Sequence, residues 1–301
     1  MTKRPYPAWL IGLGVGIVGI VGAAGCARFG VLESAAAFVH TQTAQTRSAE
    51  LNLANAATAR LAFAADTPVD QLLPEGDRPL PMNGLCPPDM ATVDDKFCVD
   101  KYEASLVEIL ENGREQAWPY YLPVEGKVVR AVSQAGVYPQ GYINEKQAKE
   151  ACGRSGKRLC KPAEWRTACQ GPDKKKFGYG NEHKPKTCND HGKSPMGHFY
   201  AAEVAAGTAF KWNNMNDPQL NQLAGTLAET GSHESCVNGY GIHDMVGNIH
   251  EWVDDDAGTF QGGYYLDVRQ NGDGCMYRSD AHEAWYHDYS TGFRCCADVG
   301  Q

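Results

Sequence analysis

Two acidic residues at a defined spacing form the clearest candidate for metal chemistry in this sequence. Asp244 and Glu251 lie seven residues apart in a glycine-rich and aromatic stretch. Carboxylate oxygens suit hard cations, and the backbone carbonyls of Gly247 and Ile249 can complete a structural calcium site if the loop curls around the ion. The alternative is an acidic turn in which Glu251 pairs with an arginine such as Arg294. The sequence leaves both arrangements open.

A second candidate for metal chemistry is a histidine pair among acidic residues. His282 and His287 lie five residues apart in the stretch Asp280-Ala-His-Glu-Ala-Trp-Tyr-His-Asp288. Imidazoles with neighbouring carboxylates can hold iron or zinc. The alternative is that both histidines are surface groups of an aromatic loop. The sequence contains no nucleophile elbow, phosphate-binding loop or dinucleotide fingerprint, so we expect no other common catalytic motif.

Short strands, short helices and long loops are the elements that must position these groups. Phe97–Ser105 alternates apolar and polar residues, which predicts an opening strand. Asn144 predicts the N-cap of a helix that runs through Cys152 and stops near 153–156. Pro162 predicts the first turn of a second helix. With 33 Gly, 16 Pro and 14 Tyr, the sequence indicates a loop-rich domain with an aromatic core.

The amino terminus has the form of a bacterial export signal. Lys3 and Arg4 precede an uncharged apolar run over residues 8–24, which ends in Ala-Ala-Gly-Cys26. This ending is typical of a lipoprotein signal, and it predicts lipidation of Cys26. The alternative is that the run stays as an uncleaved membrane anchor. Both alternatives place the rest of the chain on the periplasmic or extracellular side of the cell envelope.

The remaining sequence divides into a stalk and a domain. Residues 27–84 are rich in Ala, Gln and Thr and end in several prolines, which predicts a helical stalk and a Pro-rich linker. Residues 85–301 form the expected domain. Ten cysteines follow Cys26, and an even number of cysteines in an exported chain indicates disulfides. The spacings typical of a structural zinc site do not occur.

Ordered motifs across the expected domain resemble one known family. Gly239-Tyr-Gly-Ile-His-Asp-Met-Val-Gly-Asn-Ile-His-Glu-Trp-Val253 and Gly292-Phe-Arg-Cys295 are similar to motifs of the formylglycine-generating enzymes, also called sulfatase-modifying factors. Gly156-Lys-Arg-Leu-Cys-Lys-Pro-Ala-Glu-Trp165 is similar to a third. The resemblance reaches from about Cys86 to Cys295. It implies an α+β, disulfide-rich fold related to the C-type lectins. It also implies that calcium is bound by Asp244, Gly247, Ile249 and Glu251.

The resemblance also implies part of the disulfide pairing. Two family cysteines, seventeen residues apart, pair with the cysteine of the Gly-Phe-Arg-Cys ending and with one about twenty residues before it. A further pair of cysteines, twelve residues apart, can close a local hairpin. For the last four cysteines neither the spacing nor the resemblance fixes the pairing, and the two pairs expected for them are a hypothesis. The expected pairs are Cys152 with Cys295, Cys169 with Cys275, Cys86 with Cys98, Cys160 with Cys188, and Cys236 with Cys296.

The resemblance fails at the catalytic centre. In the oxidases of this family, two cysteines separated by four residues follow a Gly-Gly-Ser-Tyr strand and bind copper(I) as thiolates. Here the strand reads Gly262-Gly-Tyr-Tyr265, Asp267 stands at the first cysteine position, and Cys275 is the one thiol nearby. Copper(I) requires soft thiolate ligands. We therefore expect the copper mechanism to be absent.

Two functions from different classes remain open. In the first, the domain is a noncatalytic module that binds an exported protein, peptide or glycan, or acts in an envelope complex. Aromatic side chains give contact area at low entropic cost. The expected ligand surface comprises Tyr264, Tyr265, Trp285, Tyr286 and Tyr289.

In the second function, the domain is an oxidoreductase that acts on an exported protein or metabolite. Its metal centre would be rebuilt from Asp267, His282 and His287, with Cys275 as a further candidate. The missing cysteine pair favours the binding module. A net charge of −8 argues against a nucleic acid partner. The other expected contact is the membrane, which the chain reaches through its amino terminus.

Overall fold

Residues 85–300 are described by a computed structural model of the chain, and they carry eleven short strands and five helices. The predicted export signal, Cys26 and the predicted stalk lie outside the described residues. Within 85–300, no helix combines the length and apolar character that crossing a bilayer requires. The strands are β1 (Met90–Val93), β2 (Phe97–Asp100), β3 (Ala104–Ile109), β4 (Glu115–Ala117), β5 (Val129–Ser133), β6 (Arg158–Leu159), β7 (His250–Trp252), β8 (Phe260–Gln261), β9 (Arg278–Ser279), β10 (Thr291–Phe293) and β11 (Cys295–Asp298).

The helices are short and lie between residues 145 and 215 of the sequence. They are α1 (Glu145–Gly153), α2 (Pro162–Gln170), α3 (Pro195–Phe199), α4 (Ala201–Ala205) and α5 (Trp212–Met215), with 3-10 turns at Leu220–Gln222 and Gly274–Met276. The predicted cap of α1 is confirmed, because Asn144 Oδ1 accepts the Gln147 amide at 2.9 Å and Gln147 Oε1 accepts the Asn144 amide at 3.1 Å. Pro162 is confirmed in the first turn of α2.

Three small sheets hold these elements together. The first has the order β1-β2-β11-β6, so the beginning and the end of the domain pair with each other. The second has the order β10-β7-β8-β9, with β10 parallel to β7. The third has the order β4-β3-β5. The predicted opening strand is thus two strands, β2 and β3, because the chain turns at Lys101–Glu103 and directs the fully buried Glu103 inward.

Large aromatic side chains fill the core, as the composition predicts. Trp165 lies in one buried cluster, Trp252 and Phe293 lie in a second, and Tyr142 and Tyr265 lie in a third. All five are at most 1% exposed. Because such side chains bury 150–250 Å² each, a few of them can organise a domain that has little regular structure.

Five disulfides connect all ten cysteines of residues 85–300. Three predicted pairs are confirmed and two are wrong. The expected pairs Cys160 with Cys188 and Cys236 with Cys296 do not form, because the structure pairs Cys160 with Cys296 and Cys188 with Cys236. The confirmed pairs are Cys86 with Cys98, Cys152 with Cys295, and Cys169 with Cys275.

Strand geometry explains the corrected pairing. Cys295 and Cys296 are neighbours in β11, and successive side chains of a strand point to opposite faces of the sheet. Cys295 therefore reaches Cys152 in α1, while Cys296 points to the other face. The strand β6 pairs with β11, and Cys160 directly follows β6, which brings it beside Cys296.

Candidate functional site

The loop that precedes β7 has a conformation that few residue types can adopt. Asp244, Gly247 and Asn248 have φ angles of 56°, 84° and 54°. A Cβ atom on Gly247 would lie 2.4 Å from the Asn189 carbonyl oxygen, so only glycine fits there. The Asn248 amide donates to that same carbonyl at 2.8 Å. The glycine and asparagine types of the loop motif are thus set by backbone shape and close approach.

Glu251 forms a buried ion pair with Arg294. Arg294 Nε donates to Glu251 Oε2 and Arg294 Nη2 donates to Glu251 Oε1, both at 2.7 Å. Trp165 Nε1 donates to Glu251 Oε2 at 2.5 Å. Arg294 is 0% exposed and Glu251 is 1% exposed. The parallel pairing of β7 with β10 sets Glu251 opposite Gly292, two residues before the arginine. This ion pair is the predicted alternative to a calcium site.

Two further carboxyl groups are buried near the ion pair. Glu103 Oε2 accepts from Asn248 Nδ2 at 2.6 Å, whereas Glu103 Oε1 has no hydrogen-bond partner in the described structure. Asp244 Oδ2 accepts from the Gly231 amide at 2.6 Å. Burial raises the pKa of Asp244 to about 6, and burial together with the Asp244 and Glu251 charges raises the pKa of Glu103 well above its usual range. One arginine therefore faces three buried acids.

These contacts bear on the predicted calcium site at Asp244, Gly247, Ile249 and Glu251. A calcium ion needs six to eight oxygen ligands. Both Glu251 oxygens already serve Arg294, and a cation at Glu251 would also have to lie close to the guanidinium. The donor set therefore fits the ion pair better than it fits calcium. The calcium site expected from the sequence is untested, and the ion pair leads us to expect that added calcium has little effect on stability.

The residues at the position of the family's copper centre have other partners. Cys275 is fully buried and bonded to Cys169, so it offers no thiolate. Asp267 Oδ1 accepts the backbone amides of Arg269 and Gln270 at 2.9 and 3.0 Å, which closes a turn. Burial raises the pKa of Tyr277, and Asp267, which hydrogen-bonds the Tyr277 hydroxyl, raises it further. These contacts are structural.

The two predicted metal-binding histidines have separate partners. His282 stacks on Tyr286 with 3.9 Å between ring centroids and lies 5.6 Å from the Phe260 ring. Burial lowers the pKa of His282. His287 is 4% exposed, and its Nε2 pairs with the Glu125 carboxylate. Among residues 85–300, no three His, Cys, Asp or Glu side chains are grouped in a way that could hold a metal ion.

The predicted ligand surface is only partly a surface. Trp285 is 56% exposed, and Tyr264 and Tyr286 are partly buried. Tyr265 and Tyr289 were expected on this surface, but they are 0% and 4% exposed and pack in the third core cluster. Aromatic type does not distinguish the two situations, because a strand-poor fold uses tyrosines for packing as well as for contact.

Sequence reasoning gave no role to several groups of this region. His250 is a fully desolvated imidazole between the rings of Phe260 and Tyr264, at 4.4 and 4.6 Å. Ser290 Oγ lies 3.2 Å from His250 Nδ1. Burial lowers the pKa of His250 to about 3, so this histidine is neutral at pH 7. Trp212 was also missed. It is 45% exposed and lies 5.8 Å from Trp285 between ring centroids.

Comparison with known proteins identifies the family. Residues 72–299 match the family described as the sulfatase-modifying factor enzyme 1-like domain. The chain belongs to this family. Among curated proteins it is similar to the formylglycine-generating enzymes of Mus musculus and Bos taurus, with 28% identity to each over 165 residues. The match covers 51% of this chain, and the chain spans 40% and 39% of the length of those two relatives.

Solved structures with a similar fold come from several sources. PvdO from Pseudomonas aeruginosa has 15% identity and a TM-score of 0.39, over 69% of this chain and 90% of that one. Treponema denticola variable protein 1 has 15% identity and a TM-score of 0.41, over 67% and 84%. The P3c variant of the major tropism determinant has 15% identity and a TM-score of 0.41, over 71% and 54%. The family match, the mixture of helices and strands and the five disulfides confirm the predicted α+β, disulfide-rich fold.

Proposed function

We propose that this member of the family is an exported binding module that does not generate formylglycine. The observation that carries the proposal is that disulfides use all ten cysteines of residues 85–300, so none of them is a free thiol. Cys275 is the one cysteine close in sequence to the expected catalytic strand, and its sulfur is bonded to Cys169 in a fully buried position. The family's oxidases need two free thiolates for copper(I).

The remaining side chains at this position support the same proposal. Asp267 stands where the family has its first catalytic cysteine, and a carboxylate is a hard ligand that does not suit copper(I). Its Oδ1 is already used by two backbone amides of a turn. Exchanging a thiolate for such a carboxylate removes the copper chemistry and leaves the scaffold intact.

A rebuilt metal centre, the basis of the oxidoreductase alternative, receives less support. It requires Asp267, His282 and His287 to converge on one ion. Instead, Asp267 closes a turn, His282 stacks on an aromatic ring, and His287 pairs with a glutamate. We therefore retain the binding module as the proposed function.

We also propose a location for the module in the cell envelope. Five disulfides suit an oxidising compartment. Together with the export signal over residues 1–26, they support a domain on the periplasmic or extracellular side of a bacterial membrane. The partner is an exported protein, a peptide or a glycan, and the amino terminus holds the domain at the membrane through Cys26 or an uncleaved anchor.

The proposal is tested by an oxidation assay. The purified domain, with its disulfides intact, is incubated with copper(I), oxygen and a cysteine peptide that a catalytically active family member oxidises. Mass spectrometry follows the conversion of the peptide cysteine to formylglycine, and the active relative under the same conditions is the positive control. We expect no conversion by this protein. Conversion that requires the intact domain and copper would overturn the proposal.

A further inference from the structure

Two segments of the chain enclose a polar cavity beside the Cys188–Cys236 disulfide. Residues 185–187 and 232–235 line this cavity, and its volume is about 440 Å³. Each segment ends directly before one of the two bonded cysteines. The volume falls within the roughly 300–1,000 Å³ that is typical of small-molecule sites. We call this space the disulfide cavity.

The first wall of the disulfide cavity is held from behind by a buried carboxylate. Asp190 is 7% exposed. Its Oδ1 accepts the Lys186 amide at 2.9 Å, and its Oδ2 lies 2.5 Å from His183 Nε2. Lys186 has a φ angle of 68°, which residues with a Cβ atom rarely adopt. Asp190 therefore holds Lys186 in a strained backbone conformation, and such conformations are concentrated at functional sites.

The second wall is fixed by turns and by the disulfide. The Ser232 amide and hydroxyl both donate to the Glu229 carbonyl, at 3.0 and 2.6 Å. The Cys236 amide donates to the His233 carbonyl at 2.7 Å. The bond from Cys236 to Cys188 joins the ends of the two walls, with 4.8 Å between the Cα atoms. The cavity is therefore organised before a ligand arrives, so binding costs little conformational entropy.

Two opposite charges in the disulfide cavity have no partner in the described part of the chain. Lys186 and Glu234 are exposed and line the same cavity. Among residues 85–300, neither the Lys186 ammonium group nor the Glu234 carboxylate has a hydrogen-bond or ion-pair partner. The hydroxyl groups of Thr187 and Ser235 also have no hydrogen-bond partner there. One cation, one anion and two hydroxyl groups are therefore available to a ligand.

This lining distinguishes between classes of ligand. Sites for apolar ligands are lined mainly by hydrophobic and aromatic groups, whereas Pro185 supplies the one aliphatic side chain here. A simple anion would be repelled by Glu234, and a simple cation would be repelled by Lys186. A neutral sugar would leave both charges without a partner. A ligand that carries both an ammonium group and a carboxylate complements both charges.

We propose that the disulfide cavity binds a small soluble zwitterion, such as an amino acid or a dipeptide with free ends. Its carboxylate pairs with Lys186 and its ammonium group pairs with Glu234. None of the lining residues belongs to the predicted ligand surface or to the predicted metal sites. The inference therefore goes beyond the proposed function, because it assigns a separate small-molecule site.

The test is a calorimetric titration of the purified protein with four peptides that differ at their ends. Glycylglycine carries both charges, N-acetylglycylglycine lacks the ammonium group, glycylglycinamide lacks the carboxylate, and N-acetylglycylglycinamide lacks both. We expect glycylglycine to bind with a dissociation constant of about 1 to 10 mM. Each singly blocked peptide should bind about three- to tenfold more weakly. Absence of glycylglycine binding, or equal binding of the doubly blocked peptide, would overturn the inference.

Variants assign each ligand charge to one residue. Lys186→Gln removes the cation, so this variant should bind glycylglycine and glycylglycinamide equally, within about twofold. Glu234→Gln should lose the preference for glycylglycine over N-acetylglycylglycine in the same way. The matched controls are Lys184→Gln and Glu182→Gln, which change exposed charges outside the cavity and should keep both preferences. If the two cavity variants keep the preferences of the wild type, the ligand lies elsewhere and the inference fails.

The competing ligand and the proposed function are tested separately. Maltose is titrated under the same conditions, and binding of maltose without binding of glycylglycine would assign the cavity to a glycan and overturn the inference. The oxidation assay tests the proposed function. Failure of glycylglycine to bind, with no oxidation of the cysteine peptide, would refute this inference and leave the proposed function standing.

Discussion

Replacing His250 with phenylalanine should change how the stability of the domain depends on pH. His250 is fully desolvated among Phe260, Tyr264 and Tyr277, and burial lowers its pKa to about 3. An unfolded histidine has a pKa of about 6.5. As the pH falls below about 6.5, the unfolded chain takes up a proton that the folded chain excludes until about pH 3. The free energy of unfolding therefore decreases as the pH falls from about 6.5 to about 3, because the folded state keeps His250 neutral.

The size of the effect follows from linkage. The difference of about 3.5 pH units corresponds to a maximum loss of about 5 kcal/mol in the free energy of unfolding, of which about 2 kcal/mol falls between pH 7 and pH 5. Asp244 works in the opposite direction, because its pKa is raised to about 6 and its protonation favours the fold as the pH falls. Asp244 is present in both the wild type and His250→Phe, so its contribution cancels in their comparison.

Denaturant unfolding at pH 7 and pH 5, with the disulfides intact, measures the difference. The advantage of the wild type over His250→Phe in the free energy of unfolding should decrease by about 2 kcal/mol between pH 7 and pH 5. His191→Gln changes an exposed histidine and is the control, which should keep the pH dependence of the wild type. An unchanged difference between wild type and His250→Phe at the two pH values would refute the reasoning.

Three further predictions concern the loop and its ion pair. Gly247→Ala should lower the free energy of unfolding by at least about 2 kcal/mol in denaturant titrations, because its Cβ meets the Asn189 carbonyl, whereas Gly241→Ala, with the same sign of φ but open space, should cost about 1 kcal/mol. Glu251→Gln should lower the free energy of unfolding by about 3–5 kcal/mol, because it leaves Arg294 buried without its charged partner. The control is Glu150→Gln, which removes one partner of an exposed ion pair and should lower the free energy of unfolding by less than about 0.5 kcal/mol. Because Arg294 uses both Glu251 oxygens, 1 mM calcium should shift the thermal midpoint by less than about 1 °C relative to a chelator; a larger rise that Asp244→Asn abolishes would establish the calcium site.

Local signals and the family resemblance predicted much of the fold. The Asn144 cap and the Pro162 start of α2 depend on residues close in sequence, and both are confirmed. The pairs Cys152 with Cys295 and Cys169 with Cys275 were implied by the resemblance. The pairing of Cys160 was wrong because it depends on the register of the two-residue strand β6 against β11, which no local pattern in the sequence specifies.

The candidate sites were harder to predict, because their partners are distant in the chain. Glu251 and Arg294 are forty-three residues apart, and their pairing depends on the parallel contact of β7 with β10. The burial of Tyr265 and the exposure of Trp212 follow from how loops pack, which residue type does not determine. Trp212 and Trp285 meet from segments with no shared sequence signal.

The central claim, that this member of the family holds no thiolates for copper, is tested most directly by a disulfide map of the mature protein. Unreduced protein is alkylated under denaturing conditions and digested, and mass spectrometry counts free thiols and identifies linked peptides. We predict no free thiol among the ten cysteines of residues 85–300, and a linked peptide pair that contains Cys169 and Cys275. A protein in which Cys275 is free, together with a second free cysteine, would contradict the claim and restore the oxidase.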